Sequence, residues 1–210
     1  MPLPSQRGDK ASGRVSRTFL SPARIRRVGN GDLKVMRSPT ITSSDRAVGR
    51  AFAIRVEKEN LKFSSAHFLI FEDGSAERLH GHNYRVAVEL EAAELEHGVI
   101  VDFNVVKQQL KGLLARLDER FLVPGRNELL TWEEADGEIT VRFDTRRYVV
   151  PVDEVVVLPI TNSSSEELAA YLANELLHGL RDVTPATRWS RIEVSVEETS
   201  GQRGLCILRP

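Results

Sequence analysis

Three of the five histidines lie within sixteen residues of the sequence, and we call His67, His80 and His82 the histidine cluster. On an extended backbone, residues two apart point to the same face, so His80 and His82 can present two imidazoles to one point. Gly81 leaves room between them, and a neighbouring strand can deliver His67. Three neutral imidazoles at about 2.0 to 2.1 Å from Zn²⁺ would form a catalytic site with an open fourth position. The alternative is three unrelated histidines, one at a strand edge and two in a turn.

Alternation of apolar and polar residues predicts the strands that would carry this cluster. Phe52, Ile54 and Val56 alternate with Ala53, Arg55 and Glu57, which is the two-residue period of a half-buried strand. A second strand is expected around residues 63–69, and a third from Asn83. The apolar face of the third strand consists of Tyr84, Val86, Val88 and Leu90. The short connections favour antiparallel pairing.

Two helices and two further strands are predicted downstream. Leucines and valines recur at three- to four-residue spacing from near Asn104, which indicates a helix with one buried face. A second helix is expected after the Ser-Ser-Ser-Glu-Glu run at residues 163–167, a capping-box pattern. Two alternating runs, at residues 192–196 and 205–207, predict the last two strands.

The stretch from about residue 124 to residue 160 interrupts this order. Apolar residues alternate on either side of a polar segment at 144–147, as in the two arms of a hairpin. These apolar residues are Ile139, Val141, Phe143, Tyr148 and Val150. We therefore predict an inserted β-hairpin between the two helices.

Charge divides the chain into two parts. Residues 1–50 contain eleven Lys or Arg against three acidic residues, although the net charge of the whole chain is −1. We predict that residues 1–48 form a basic, disordered tail and that residues 49–210 form one domain. The tail could bind nucleic acid or an acidic partner. Spaced arginines without interleaved aromatics are more typical of a solvated tail, so we do not expect a nucleic-acid partner.

The cysteine content and hydropathy indicate a cytoplasmic protein. Cys206 is the single cysteine, which excludes an intramolecular disulfide. We expect it to act as a small buried hydrophobe in a terminal strand rather than as a nucleophile. No apolar run approaches the roughly 18 residues that a membrane-spanning helix needs, so we predict no membrane association.

Several strings of the sequence match one known pattern when they are taken together. They are Phe63-Ser-Ser-Ala-His67, Leu79-His-Gly-His-Asn-Tyr84, Val101-Asp-Phe103, Leu117-Asp118, Asn162-Ser-Ser-Ser-Glu166 and Glu198-Thr199. With these strings the chain resembles the 6-pyruvoyl-tetrahydropterin synthase and 6-carboxytetrahydropterin synthase family from about Phe52 to Leu208. The resemblance implies an α+β tunnelling fold (T-fold) with an antiparallel four-stranded sheet backed by two helices. It also implies a homo-oligomer, such as a hexamer.

The resemblance further implies which residues bind metal and substrate. The histidine cluster would bind Zn²⁺, which would hold the hydroxyls of the C6 side chain of a pterin as a Lewis acid. Glu198 would accept hydrogen bonds from the ring amide and amino group, although a solvated glutamate is the alternative. Ser164 and Glu166 are expected to line the same pocket, but helix capping explains both residues equally well.

The sequence departs from the best-known members at the catalytic residues. Those members carry a cysteine before the His-Gly-His string and an Asp-His pair, whereas this chain has Glu77 and the pair Asp118-Glu119. Glu77 resembles the branch of the family in which glutamate replaces the cysteine and dihydroneopterin triphosphate is cleaved to 6-hydroxymethyl-dihydropterin. The alternative is a Glu77 in a solvated turn. We expect Asp118, at the end of a helix, and Glu119 to position or shuttle a proton opposite zinc.

The function implied by the resemblance is therefore a zinc-dependent lyase acting on the C6 side chain of 7,8-dihydroneopterin triphosphate, with Glu77 as the candidate base. One alternative is a 6-carboxytetrahydropterin synthase of deazaguanine (queuosine) synthesis. A second is a 6-pyruvoyl-tetrahydropterin synthase. The third is a catalytically inactive protein that binds a pterin.

Overall fold

The computed structural model describes residues 51–210, so the predicted tail at residues 1–48 lies outside the described residues. The described part contains strands and two α-helices, which confirms the predicted α+β class. In chain order the elements are β1 (Phe52–His67), β2 (His80–Ala92), α1 (Phe103–Ala115), β3 (Arg120–Pro124), β4 (Leu130–Ala135), β5 (Glu138–Phe143), β6 (Arg146–Pro151), β7 (Val155–Leu158), α2 (Ser165–Val183), β8 (Trp189–Thr199) and β9 (Gln202–Leu208). Neither helix is both long enough and apolar enough to span a membrane.

The main sheet has six strands in the order β7-β3-β1-β2-β8-β9. Its four strands β1, β2, β8 and β9 are antiparallel neighbours, as predicted. β3 lies parallel to β1, and β7 lies parallel to β3. The prediction of a four-stranded antiparallel sheet is therefore wrong in strand number and in the direction of two strands, because two short apolar runs extend the sheet by parallel pairing.

The long strand β1 replaces the two separate strands expected at its N-terminal and C-terminal halves. Its pairing with β2 is continuous except for a register shift between Glu57 and Lys62. The polar run between these residues breaks the apolar alternation, and the strand accommodates it as an irregularity of the ladder rather than as a turn. β1 ends at His67, and β2 begins at His80 rather than at the predicted Asn83.

Both helices pack against one face of the main sheet. The shared core includes buried leucines from both helices and alternate residues of β1, β2 and β8. The opposite face of these strands is charged: Arg191 lies 2.8 Å from Glu89 and 3.1 Å from Glu91. The sheet thus has one apolar and one polar face, which explains the two-residue period of its sequence.

The helix starts follow from local capping. The Asp102 carboxylate accepts a hydrogen bond from the N–H of Asn104 at 2.8 Å, so α1 begins where the pattern predicted. At α2, the Ser164 hydroxyl accepts the N–H of Glu167 at 3.3 Å. The Glu167 carboxylate instead accepts the Thr161 hydroxyl at 2.8 Å, so half of the predicted capping box is present.

The inserted segment is a three-stranded antiparallel sheet, β4-β5-β6, rather than the predicted two-stranded hairpin. The predicted arms are β5 and β6, joined at Asp144 and Thr145. The additional strand is β4, whose residues after Leu130 are exposed and mostly polar or acidic. A strand with so little apolar alternation is stabilised by its ladder with β5, which sequence periodicity does not reveal.

Candidate functional site: a histidine and carboxylate cluster at the end of the main sheet

Strand pairing brings the histidine cluster together. His67 at the end of β1 lies directly opposite His80 at the start of β2, and His82 lies two residues further along. Residues directly opposite or two apart share a face of the sheet, so the three rings project to the same side. The ring centroids of His67 and His80, and of His80 and His82, are 4.7 Å apart, and those of His67 and His82 are 5.3 Å apart.

Hydrogen bonds to backbone carbonyls fix the tautomers of two of these histidines. His67 Nδ1 lies 3.0 Å from the carbonyl oxygen of Ser163, and His80 Nδ1 lies 2.7 Å from that of Arg78. A carbonyl oxygen can only accept, so each Nδ1 carries a proton, and Nε2 of the neutral ring has a free lone pair. Burial lowers the pKa of His67, which favours the neutral ring although Glu198 acts in the opposite direction.

Glu198 and Tyr84 complete the group of polar atoms. Glu198 Oε1 lies 3.1 Å from Nε2 of both His67 and His82. The Tyr84 hydroxyl lies 2.9 Å from His67 Nε2 and 3.5 Å from Glu198 Oε1. Burial raises the pKa of Tyr84, so the hydroxyl keeps its single proton and can donate it to only one of these acceptors.

The chemistry of these donors fits a metal ion. The unprotonated nitrogen of His67 and the carboxylate oxygen of Glu198 face each other, and one hydroxyl proton cannot satisfy both, so a cation would stabilise the group. The ligand atoms of His67, His80, His82 and Glu198 all lie within 4.8 Å of one another. Imidazole and carboxylate are ordinary ligands of Zn²⁺, and carbonyls that orient the Nδ1 protons are typical of such sites. The four residues could therefore hold a metal ion.

Glu77 lies at the edge of this cluster. Its Oε2 is 3.9 Å from His80 Nε2 and accepts the N–H of Leu69 at 3.2 Å. The side chain is 37% exposed, so solvent or a substrate can reach it. The structure therefore brings the predicted acid–base residue next to the histidines, in the loop between β1 and β2.

Asp118 and Glu119 lie after α1 rather than at its end, since the helix ends at Ala115. Asp118 Oδ1 accepts the N–H of Ser64 at 2.7 Å, and the Glu119 N–H donates to the Ser64 carbonyl at 2.7 Å. Glu119 has a φ of 57°, in the left-handed region, which turns the chain sharply into β3. Asp118 and Glu119 thus bind the backbone N–H and the backbone carbonyl of the same residue of β1, three residues before His67.

A cavity of about 540 Å³ opens beside the cluster. His82 and Glu119 line it, together with Arg120 and Leu79. Small-molecule pockets commonly measure about 300–1,000 Å³, so this cavity can accept a ligand of that class. The cavity places Glu119 on the same opening as a histidine of the cluster.

The residues before α2 contribute through Ser163 rather than through the predicted Ser164 and Glu166. Ser163 is fully buried, and its hydroxyl donates to the Phe68 carbonyl at 3.0 Å. Its own carbonyl accepts from His67, as described above. The Ser164 hydroxyl caps α2, and Glu166 is exposed. Substrate contacts by Ser164 and Glu166 remain a prediction.

Sequence reasoning missed two neighbours of the cluster, Tyr84 and Ser163. Tyr84 follows His80 and His82 at the same two-residue spacing, so the period could have identified it as a third polar group on this face. No comparable signal marks Ser163, because it acts on His67 through a backbone carbonyl, which every residue type possesses.

Comparison with known proteins gives a consistent result. Residues 55–205 match the family model described as 6-pyruvoyl tetrahydropterin synthase. The chain is 33% identical over 148 residues to a putative 6-carboxy-5,6,7,8-tetrahydropterin synthase of Methanocaldococcus jannaschii, covering 70% of this chain and 88% of the relative. It is 26% identical over 129 residues to the 6-carboxy-5,6,7,8-tetrahydropterin synthase of Haemophilus influenzae, covering 59% of this chain and 82% of the relative.

Solved structures of similar fold include two Plasmodium enzymes. The 6-pyruvoyltetrahydropterin synthase of Plasmodium vivax, in a variant whose catalytic glutamate is replaced by alanine, aligns with a TM-score of 0.70 and 27% identity. That alignment covers 77% of this chain and 99% of the other. The Plasmodium falciparum 6-pyruvoyl tetrahydropterin synthase aligns with a TM-score of 0.71 and 28% identity, covering 76% of this chain and 99% of the other.

Proposed function

Since the chain belongs to the 6-pyruvoyl tetrahydropterin synthase family, we propose that it is a zinc-dependent lyase acting on the C6 side chain of 7,8-dihydroneopterin triphosphate. The observation that carries this proposal is the position of Glu77 Oε2, 3.9 Å from His80 Nε2 at the edge of the histidine cluster. A carboxylate at this place supports proton transfer to a substrate side chain that is held at the cluster. The replacement of a catalytic glutamate in the Plasmodium vivax enzyme supports the same role.

The histidine cluster would hold the Zn²⁺ through the three Nε2 atoms. When bound, the ion would act as a Lewis acid towards the hydroxyls of the substrate side chain. The carbonyls of Ser163 and Arg78 keep two of the rings in the tautomer that this role requires.

Glu77 is proposed to move the proton. It would accept the proton of the hydroxyl on the second side-chain carbon while the bond from that carbon to the first one breaks. The outer fragment would leave as an aldehyde that carries the triphosphate. The proton would then be returned to the first carbon, which becomes the hydroxymethyl group of the pterin. The N–H of Leu69 holds Oε2 on the side of His80, and either oxygen of this carboxylate can take the proton. Asp118 and Glu119 are proposed to assist by holding the backbone of β1 at Ser64 and by contributing negative charge beside the cavity.

Glu198 has two candidate roles that can be separated. A carboxylate can accept two parallel hydrogen bonds from the amide and amino groups of a pterin ring, which is the role that we propose. The distance of 3.1 Å from Oε1 to two histidine nitrogens also makes it a candidate fourth metal ligand. In a Glu198→Gln variant, ring recognition predicts a raised KM with unchanged zinc content, whereas metal ligation predicts a weakened affinity for zinc.

The proposed activity can be tested directly. Zinc-loaded protein would be incubated with fresh 7,8-dihydroneopterin triphosphate, and the pterin products would be identified by mass spectrometry. Chelator-treated protein and the Glu77→Gln variant serve as controls. We expect 6-hydroxymethyl-dihydropterin from the zinc-loaded protein and its loss in both controls. Unchanged substrate in the presence of bound zinc and bound pterin would instead identify a pterin-binding protein.

A second activity is favoured by the sequence relatives, which are named 6-carboxy-5,6,7,8-tetrahydropterin synthases. The same assay distinguishes it, because a 6-carboxy product would replace the hydroxymethyl product. A 6-pyruvoyl product would instead assign a 6-pyruvoyl-tetrahydropterin synthase activity to the chain. A homo-oligomer with several copies of this chain remains part of the proposal.

A further inference from the structure

The inserted three-stranded sheet packs against the loop that carries Glu77. A second apolar core, separate from the core under the helices, joins this sheet to Phe68 and Ile70, one and three residues after the histidine at the end of β1. The inserted sheet contributes Leu130, Ile139, Val141 and Phe143 to this core. The loop between β1 and β2 therefore has its own packing partner.

One charged side chain links the same two parts. Arg146 is the first residue of β6. Its Nη2 donates a hydrogen bond to the carbonyl of Ala76 at 3.1 Å, and its Nη1 donates a second hydrogen bond to the carbonyl of Glu77. The planar guanidinium binds two successive carbonyls with two parallel N–H groups, a geometry that a lysine cannot reproduce. The guanidinium also lies 5.8 Å from the ring centre of Phe143, at the far end of the two-residue turn.

Further hydrogen bonds connect the backbone of Glu77 to its carboxylate. The Glu77 N–H donates to the Leu69 carbonyl at 3.0 Å, while the Leu69 N–H donates to Glu77 Oε2 at 3.2 Å. Arg146 binds the carbonyl of the same residue. A shift of the backbone at Glu77 would therefore break the contact to Leu69 and move the carboxylate relative to His80.

We propose that Arg146 is a positioning residue that holds Glu77 beside the histidine cluster. The inserted sheet places Arg146 at this position. This inference rests on the proposed role of Glu77 as the proton-transfer group. It assigns to Arg146 no contact with the substrate. A displacement of about 1 Å at a reacting group can cost about 100-fold in rate, so loss of this contact should reduce kcat substantially.

Kinetics of matched variants test the inference. Arg146→Ala removes both donors, Arg146→Lys keeps the charge without the fork, and Arg147→Ala removes an exposed charge from the neighbouring position of the same strand. We expect kcat to fall by about 10- to 100-fold in Arg146→Ala, with KM and zinc content unchanged, and to recover only in part in Arg146→Lys. Arg147→Ala should retain the kcat of the unmodified protein.

A double variant that combines Glu77→Gln with Arg146→Ala distinguishes a positioning role of Arg146 from a general loss of structure. If Arg146 acts through Glu77, Arg146→Ala should have almost no further effect on the residual rate of Glu77→Gln protein. An equal loss in both backgrounds would overturn the inference. If Glu77→Gln retains full turnover, the proposed role of Glu77 fails, and the inference fails with it. If Glu77→Gln is inactive while Arg146→Ala is fully active, only the inference fails.

Hydrogen exchange supplies a readout that does not require turnover. The amides of Leu69 and Glu77 lie in a segment that Arg146 holds, so we expect their exchange to accelerate by about tenfold in Arg146→Ala and not in Arg147→Ala. Unchanged exchange in Arg146→Ala would show that Arg146 does not hold this segment. That outcome would overturn the inference whichever product the enzyme releases.

Discussion

Gly204 in β9 lies directly against the first turn of α2. From this contact we predict that Gly204→Ala lowers the free energy of unfolding. A Cβ atom at residue 204 would come within 2.4 Å of the Glu166 nitrogen and 2.5 Å of the Ser165 carbonyl carbon. Both atoms belong to the backbone, so no side-chain rotation relieves the overlap. Gly204→Ala must displace either the strand or the start of the helix, which follows Ser163 and its contact to His67.

The expected size follows from comparison with a second glycine. Overpacking of a well-packed site costs about 1–3 kcal/mol, and contact with backbone places Gly204→Ala at about 3 kcal/mol. Gly112 lies in α1, and a Cβ at that position would meet nothing within 4 Å. Because alanine is the better helix former by about 1 kcal/mol, Gly112→Ala should stabilise the protein. The same substitution should therefore change the free energy of unfolding in opposite directions at the two positions.

Thermal and urea unfolding measure this difference. For a domain of this size, 1 kcal/mol corresponds to about 2–4 °C in Tm, so Gly204→Ala should lower Tm by about 6–12 °C, and Gly112→Ala should raise it slightly. The affinity for the proposed zinc ion should also fall in Gly204→Ala, because α2 starts two residues after Ser163, whose carbonyl orients His67. A Tm within 1 °C of the unmodified protein for Gly204→Ala would contradict the described packing of β9 on α2.

Three further predictions concern the site. Asp118→Asn keeps an oxygen that can accept the N–H of Ser64, so we expect an unchanged Tm. Because the substitution removes the charge proposed to assist proton transfer, turnover should fall at least tenfold. Near-normal turnover would refute the role of the charge. Tyr84→Phe retains the buried ring and removes the hydroxyl that contacts the histidine cluster. The free energy of unfolding, measured by urea titration, should therefore fall by about 1 kcal/mol. A decrease above about 3 kcal/mol would show that the ring packing had changed. His80→Ala should reduce bound zinc, measured by elemental analysis after dialysis, to a small fraction of the normal content, while His178→Ala, at a histidine whose side chain is 83% exposed, should leave it unchanged.

Local patterns in the sequence were sufficient for the elements that form the centre of the fold. The spacing of leucines and valines located α1, and the alternation in residues 192–196 and 205–207 located β8 and β9. These signals are reliable because each element has one apolar and one polar face. The spacing of His80 and His82 likewise predicted their common face, which the pairing of β1 with β2 confirms.

The missing strands could not be predicted for physical reasons. β3 and β7 are short and mostly buried, and their parallel pairing depends on the connection of 30 residues at positions 125–154. β4 contains Trp132 followed by two glutamates and is largely exposed, so its residues give neither an apolar face nor alternation. Such strands form because a neighbouring strand offers unpaired backbone groups, a property of the assembled sheet rather than of the segment.

The candidate site shows the same division between side-chain and backbone information. Histidine, glutamate and their spacing can be recognised in a sequence because their chemistry resides in the side chain. Ser163 and Arg146 act on His67 and Glu77 through contacts to or from backbone carbonyls across 96 and 69 positions of the chain. A carbonyl belongs to every residue, so the residue types at positions 163 and 77 do not record which partner each carbonyl will bind.

The histidine cluster and Glu77 are also held in place by different elements of the fold. The histidine cluster lies on paired strands of the main sheet, and Ser163 orients it from the start of α2. Glu77 lies on a loop whose packing and carbonyl contacts come from the inserted sheet. Perturbing the inserted sheet should therefore alter the proposed proton transfer while the candidate metal site persists, whereas perturbing the start of α2 should alter the candidate metal site first.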